Sequence, residues 1–331
     1  MSRKCDVRIR WNGIQYMKDK NIGLIGLGNV GSKIANNILE GGFKLFIYDL
    51  EKKKSLSLVK KGANWCSSLN ELASQSTIFI TSLPSPKIVN KVIKKILPSL
   101  NSQHLWIEMS TTDETDMIKL SKKCLENKVE TLEAPLTGGV HRAKTGNISI
   151  LAAGERKNFD RAFPVLSEIG YEILYCGKIG NASTLKVVTN FLASIHLLSL
   201  GEALMVCKKY GLDLEKAYHA IKISSGNSFV HETESQLILN GSYDVGFTMD
   251  LVCKDVVLFG KLTKKFNIPA DVSKLLIKKF KYGRMKYGNR AFSTSIVKTL
   301  EEICKEDLRA KNFPKKLIDT SPKKKGIEIL S

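Results

Sequence analysis

The chain has no cysteine pair at redox or metal-ligand spacing, no histidine cluster, no apolar run of membrane length and very little arginine. Cys5, Cys66, Cys124, Cys176, Cys207, Cys253 and Cys304 are odd in number and widely spaced, with no CxxC among them. That pattern excludes a disulfide framework or a zinc ribbon and fits a reducing compartment, either cytoplasm or, in a eukaryote, the mitochondrial matrix. The five histidines show no ligand spacing, so no metal is expected. Serine, histidine and glutamate interrupt even residues 191–206, so no membrane span is expected. Residues 1–20 carry basic side chains but no apolar signal core and little serine, and they read as a short basic arm. Arginine supplies nine of the 52 basic residues and lysine the other 43, spread along the whole chain. Nucleic-acid readers lean on arginine and concentrate charge on one face, so no nucleic-acid partner is expected. The net charge of +20 reads instead as a compositional bias, or as a field that draws anionic substrates.

The 331 residues suffice for two domains, each with its own core. The first motif comes at once. Residues 21–25 read as a buried strand, followed by Gly26-Leu27-Gly28-Asn29-Val30-Gly31, a helical pattern over 32–40 and a glycine stop. A second strand over 43–48 ends at Asp49. Gly26 permits the tight turn, Gly28 lets a pyrophosphate approach the backbone, and Gly31 allows close helix–strand packing. The helix N-terminus offers N–H groups and a positive dipole end to phosphates. Asp49 stands where a carboxylate accepts the ribose 2′-hydroxyl. A lone GxGxxG is weak, but here strand, glycines, helix, strand and acid arrive in register, which predicts a dinucleotide site. Asp49 repels a 2′-phosphate, so NAD is preferred over NADP, a preference that Lys52, Lys53 and Lys54 soften.

Strand and helix go on alternating to residue 180, with strands predicted over 77–83, 105–110, 130–134, 148–152 and 172–176. Such repeats imply a largely parallel sheet covered on both faces, with ligands beyond the carboxyl ends of its strands. Leu83-Pro84, Thr111 and the turn Thr137-Gly138-Gly139 all fall at such ends. From 181 to 311 the periods are helical, with breaks at Gly241 and at Pro269. The expected organisation is therefore a basic arm (1–20), a Rossmann-like α/β domain (21–180), a helical domain joined through a long helix (181–311), and a flexible basic tail (312–331). No internal repeat is present.

The long helix, predicted over 181–210, is mostly apolar, yet Ser183, Lys186, Asn190 and Ser194 recur at steps of three and four residues. At the roughly 3.6-residue period of a helix these four share one face. Two readings stand. Lys186 snorkels to water beside an ordinary polar Asn190, or the stripe is a built site whose buried ammonium requires partners.

In these residues the chain resembles the β-hydroxyacid dehydrogenases of the 3-hydroxyisobutyrate dehydrogenase type. The resemblance runs from about residue 21 to 308 and rests on GLGNVGSKIANNILEGGF, LPSP, EMSTTDE, EAPLTGGVHRAKTGNISILAAG, GNASTLKVVTN and FTMDLVCKD. It implies a Rossmann-like domain, an all-helical second domain, an active site between them and a homodimer or homotetramer. It makes Lys186 the catalytic general acid/base and Asn190 its orienting partner. Thr137, Gly138 and Gly139 become the turn that holds the carboxylate of a small substrate, with Thr where the family usually has Ser. Leu83, Pro84 and Thr111 become cofactor contacts, and Lys254 a second lysine near nicotinamide and substrate. The residue types departing from the family pattern are Glu114, where proline is common, and Arg142, where a small residue is common. His141 and Arg142 either read the far end of an unusual substrate or are exposed turn residues. The segment 224–231 is similar to one lining the pocket in relatives. The implied reaction is hydride transfer between NAD and the hydroxyl-bearing carbon of a small 3-hydroxy acid. A semialdehyde reductase of the tartronate or succinate semialdehyde type would use the same residues. A non-catalytic NAD-binding or nucleic-acid-binding module has no need of the lysine stripe.

Overall fold

The computed structural model describes residues 21–330, and the basic arm expected over 1–20 lies outside them. The chain forms two compact units. One ends at Lys186 and resumes at Asp319; the other is Val187–Ile318.

The first unit opens with β1 (Asn21–Ile25), α1 (Gly31–Glu40) and β2 (Lys44–Tyr48). Then come α2 (Leu56–Val59), β3 (Asn64–Trp65), α3 (Leu69–Gln75) and β4 (Ile78–Thr81). α4 (Pro86–Ile96), β5 (Leu105–Glu108), α5 (Glu114–Glu126) and β6 (Glu130–Glu133) continue the alternation. β7 (Leu136–Thr137), α6 (Gly139–Thr145), β8 (Ile148–Gly154), α7 (Arg156–Ile169) and β9 (Gly170–Tyr175) follow. The last strand, β10 (Ile327–Ile329), comes from the chain end. The sheet runs β10-β9-β8-β6-β5-β4-β1-β2-β3, with β7 paired to β8. Pairing is parallel throughout except where β8 meets β6 and β7.

The central strands are apolar without alternation because both faces are covered. Ile22, Leu24, Ile80 and Ile107 join the cluster that includes Ile34 and Ile38 of α1 and Phe159 and Leu166 of α7. Phe79 and Trp106 point the other way, into Leu72 of α3, Ile93 of α4 and Met117 of α5. Local chemistry sets the helix starts. Ser85 caps α4 with Pro86 in its first turn, and Asp113 caps α5 by accepting the Thr115 and Asp116 N–H groups.

The expected alternation is present, but β3, α3, α6 and β7 carry too few residues to leave a period in the sequence. The flexible tail is corrected. Asp319 accepts hydrogen bonds from Thr145 and Asn147, Gly326 donates to the Ser167 carbonyl, and β10 lies parallel to β9. Arg156 holds Glu328 with two bonds of 2.5 and 2.8 Å. Composition misleads here because β9 would otherwise be an open edge, and three residues suffice to pair it.

The long helix α8 (Asn181–Lys209) carries the chain into the second unit. There α9 (Leu214–Lys222), α10 (Phe229–Asn240), α11 (Met249–Lys265), α12 (Asp271–Tyr287) and α13 (Lys298–Cys304) pack around Leu204, Ile238, Met249, Val256, Leu276 and Phe280. Among the described residues no strand occurs from 181 to 311. By length and composition α8 could cross a membrane, although no uninterrupted apolar run reaches that length. Its Leu197, Leu200, Leu204 and Met205 are buried in the helical core.

Candidate active site

The glycine loop is fixed by what surrounds it. The chain turns at Gly26 with φ +100°, and a Cβ there would lie 2.3 Å from the Ser82 carbonyl oxygen. A Cβ on Gly31 would lie 2.0 Å from the Gly26 carbonyl oxygen. Neither position admits a side chain. Gly28 is different. It is exposed, and nothing lies within 4 Å of the place its Cβ would take. α1 begins beside it after Asn29 and Val30, with no side-chain cap and no acid in its first turn. The helix dipole and first-turn amides thus act at a slot open to an anion.

Asp49 is tied to this loop. Its carboxylate accepts the Leu27 N–H at 2.8 Å and the Glu51 N–H at 2.9 Å, with the Lys54 ammonium 3.5 Å away. Leu83 donates its N–H to Ser110 Oγ at 2.8 Å, and its side chain comes within 3.1 Å of the Gly26 Cβ position. β1, β4 and β5 are parallel neighbours, so the glycine loop, the Leu83-Pro84 turn and the Ser110-Thr111 turn follow side by side at their carboxyl ends, where such sheets bind ligands. These residues fit a dinucleotide: an uncapped helix start, a glycine with space in front of it, and a carboxylate fastened beside them.

Two carboxyls that sequence reasoning passed over stand at the ends of β5 and β6. Glu108 and Glu133 are register partners, and both are fully buried. Glu108 accepts hydrogen bonds from the Thr81 hydroxyl and the Ser110 N–H. Burial pushes its carboxyl up to about 7, with a smaller push from Glu133. Burial also raises Glu133, which accepts the N–H groups of Gly180, Ala182 and Ser183 and the Ser183 hydroxyl. It is the N-terminal cap of α8. The sequence gives little warning, because the acid and the helix it caps are about 50 residues apart.

Thr137 ends β7 opposite Ser149 of β8, and Gly138 (φ +118°) and Gly139 (φ +87°) turn the chain into α6. Two side chains of that helix lie over the turn. Arg142 Cδ is 3.4 Å from the Gly138 Cβ position, and His141 Cε1 is 2.9 Å from that of Gly139. Burial, and then Arg142, lower the His141 pKa.

On α8, Ser183, Lys186 and Ser194 are buried, with Lys186 only 8% exposed. That decides against a lysine reaching out to water. Asn190, one turn beyond Lys186, donates to Asp255 Oδ2 at 2.6 Å. Asp255 is 1% exposed and its other oxygen holds Lys254 Nζ at 2.6 Å. The second unit therefore joins the predicted Asn190 and Lys254 through a third residue that the sequence showed only as the neighbour of a lysine. Among the described residues, no three His, Cys, Asp or Glu side chains gather as a metal-ligand set.

Comparison with known proteins gives this arrangement a class, the NAD(P)-dependent oxidoreductases. Residues 21–177 match the NAD-binding domain of 6-phosphogluconate dehydrogenase, and residues 180–300 match the NAD-binding domain of NADP-dependent 3-hydroxyisobutyrate dehydrogenase. Over 290 residues the chain is 31% identical to 2-(hydroxymethyl)glutarate dehydrogenase of Eubacterium barkeri, covering 86% of this chain and 96% of that one. Over 283 residues it is 28% identical to mitochondrial 3-hydroxyisobutyrate dehydrogenase of Drosophila melanogaster, covering 83% and 87%. Its fold matches 3-hydroxyisobutyrate dehydrogenase of Mycobacterium tuberculosis, solved with L-serine, at a TM-score of 0.78 and 22% identity, covering 85% and 98%. Within the class, the chain belongs to the β-hydroxyacid dehydrogenase family, as its motifs imply: it is an NAD(P)-dependent hydroxyacid dehydrogenase.

Proposed function

We propose that the chain oxidises a small, 3-hydroxyisobutyrate-like 3-hydroxy acid to its semialdehyde, with NAD preferred over NADP and Lys186 as general acid/base. The observation that carries this reading is the buried lysine, one turn into the best-anchored end of α8. The bound nicotinamide supplies the hydride acceptor. Lys186 Nζ takes the hydroxyl proton during oxidation and returns it during reduction, since oxygen and carbon must change charge together. Asn190, braced by Asp255, keeps the neighbouring stretch of the stripe in place, and Lys254 serves cofactor and substrate. The Thr137 hydroxyl and the amides of Gly138 and Gly139 hold the substrate carboxylate and so orient the reacting carbon. Leu27, Asn29, Val30, Leu83, Pro84 and Thr111 contact the cofactor, while Gly26, Gly28, Gly31 and Asp49 give its binding site shape and sign.

A second reading concerns the length of the substrate. Arg142 lies against the glycine turn, and the Eubacterium barkeri relative is named for a dicarboxylate. Both favour an acid whose second carboxylate pairs with the guanidinium. The enzyme works as a homodimer or homotetramer. Val206 and Tyr210, 69% and 82% exposed, border a groove of about 500 Å³ with Met205 and Leu300, a surface suited to a second copy. Cytoplasm or mitochondrial matrix is its place.

The test is initial-rate kinetics on 3-hydroxyisobutyrate, 2-(hydroxymethyl)glutarate and the tartronate and succinate semialdehydes, with NAD and NADP in parallel. The highest kcat/KM is expected for a 3-hydroxy acid with NAD. No turnover of any hydroxy acid or semialdehyde with either cofactor would overturn the reading.

A further inference from the structure

Helices are ordinarily capped by their own neighbourhood: a Ser, Thr, Asp or Asn just before the first turn accepts the orphan N–H groups. α8 has no such residue. The position before it is Gly180, at φ +99°, and the Asn181 amide turns back to donate to the Cys176 carbonyl at 2.6 Å. The cap comes instead from the sheet. Glu133 Oε1 accepts the Gly180 and Ala182 N–H groups at 2.6 and 3.1 Å, and its Oε2 accepts the Ser183 N–H and Oγ–H at 3.3 and 2.5 Å. No part of Glu133 reaches solvent. A carboxylate at a helix start also interacts favourably with the dipole. Yet a local aspartate would have given the same stabilisation, so capping alone does not explain recruiting an acid from a strand end.

What the long-range cap adds is placement. Ser183, whose hydroxyl is gripped, lies on the same helix face as Lys186 one turn later, so the grip fixes the rotation of that face as well as its height. The other side of the clamp is equally informative, since β6 ends at Glu133 and the chain reaches Thr137 four residues on. One carboxylate thus ties the start of the lysine helix to the strand that leads into the proposed carboxylate turn. We propose that Glu133 is a positioning residue for the dehydrogenase reaction, setting Lys186 at the height and rotation at which its amine meets the substrate hydroxyl. This inference rests on the assignment of Lys186 made above.

The test compares Glu133→Gln, Glu133→Asp, Ser183→Ala and Lys186→Ala in the full chain, by kcat, KM, NAD affinity and Tm. Glu133→Gln keeps the shape but turns an NH₂ toward donors; its kcat should fall about 10- to 100-fold, the size that a shift near 1 Å produces. Its NAD affinity should stay within about threefold, because the glycine loop and Asp49 are untouched. Glu133→Asp, which restores the charge, should recover part of the loss. If Glu133→Gln does not fold, Ser183→Ala removes a single bond of the clamp and should still lower kcat more than it raises KM. In the Lys186→Ala background, Glu133→Gln or Ser183→Ala should cost less than about threefold more, since residues that act as one unit are not additive. A lowered Tm with unchanged kcat, or an undiminished loss in the Lys186→Ala background, would make Glu133 an ordinary cap and overturn the proposal. Retained turnover by Lys186→Ala itself would overturn the function assignment, and this proposal with it.

Discussion

The two ends of α8 invert the usual rule for what is buried. At the start, polar groups are inside: Ser183, Lys186 and Ser194 are all less than 9% exposed. At the end, apolar groups are outside, with Val206 and Tyr210 mostly in solvent. Single exposed apolar residues are common, and a buried lysine is not. The polar end has carboxylates brought to it, Glu133 from β6 for the first turn and Asp255 from α11 for Asn190. The apolar end has no carboxylate of this kind, and it is the surface proposed above for a second copy. On the function proposed above, one element would serve a site at its beginning and an interface at its end.

The sharpest way to break this contrast is to cut the polar end at its centre. Lys186→Ala should lower kcat by about 10²- to 10⁴-fold, the range for loss of a positioned acid/base. NAD titration by fluorescence should be unaltered. Next in size is Asp255→Ala, which removes a partner of both Asn190 and Lys254. Breaking a buried pair from one side costs roughly 3 kcal/mol or more, so Tm should drop clearly and kcat/KM should fall, and an unchanged Tm would count against the network.

The Glu108 carboxyl gives a pH-dependent effect of moderate size. The unfolded chain releases this proton near 4.5 and the folded chain near 7, so between those values the native state holds the extra proton. Stability contributed by this group therefore falls as pH rises from 4.5 to 7 and is flat above. Glu108→Gln should reduce the slope of Tm over that window, the remainder belonging to Glu133 and Glu234, which burial also raises, and an undiminished slope would remove the assignment to Glu108. The smallest change in fold and the clearest in assembly is expected at the apolar end. Tyr210→Glu should leave Tm within a few degrees while shifting gel-filtration mass toward the monomer; an unchanged mass would place the interface elsewhere.

Legibility followed range. Gly26, Gly28, Gly31 and Asp49 were readable because the turn, helix start and second strand are local, and Gly26 and Gly31 leave no room for a side chain. The stripe of Ser183, Lys186 and Asn190 was readable because helical spacing puts it on one face, though spacing alone could not say whether the lysine was buried. Glu133, Glu108 and Asp255 were not readable. An acid at a strand end or beside a lysine looks like a solvated surface residue until the fold shows what it meets. β10 was hidden for the same reason, as a three-residue strand in a lysine- and proline-containing segment has no period, and its partner β9 lies about 150 residues upstream.

The central claim is that the amine of Lys186 is the group whose ionisation governs proton transfer. The direct measurement is the pH dependence of kcat for hydroxy-acid oxidation at saturating NAD, in wild type and in Lys186→Ala. The account predicts a rise through a single ionisation in wild type that is missing in the variant, whose residual rate tracks hydroxide. The same ionisation in both proteins would contradict it.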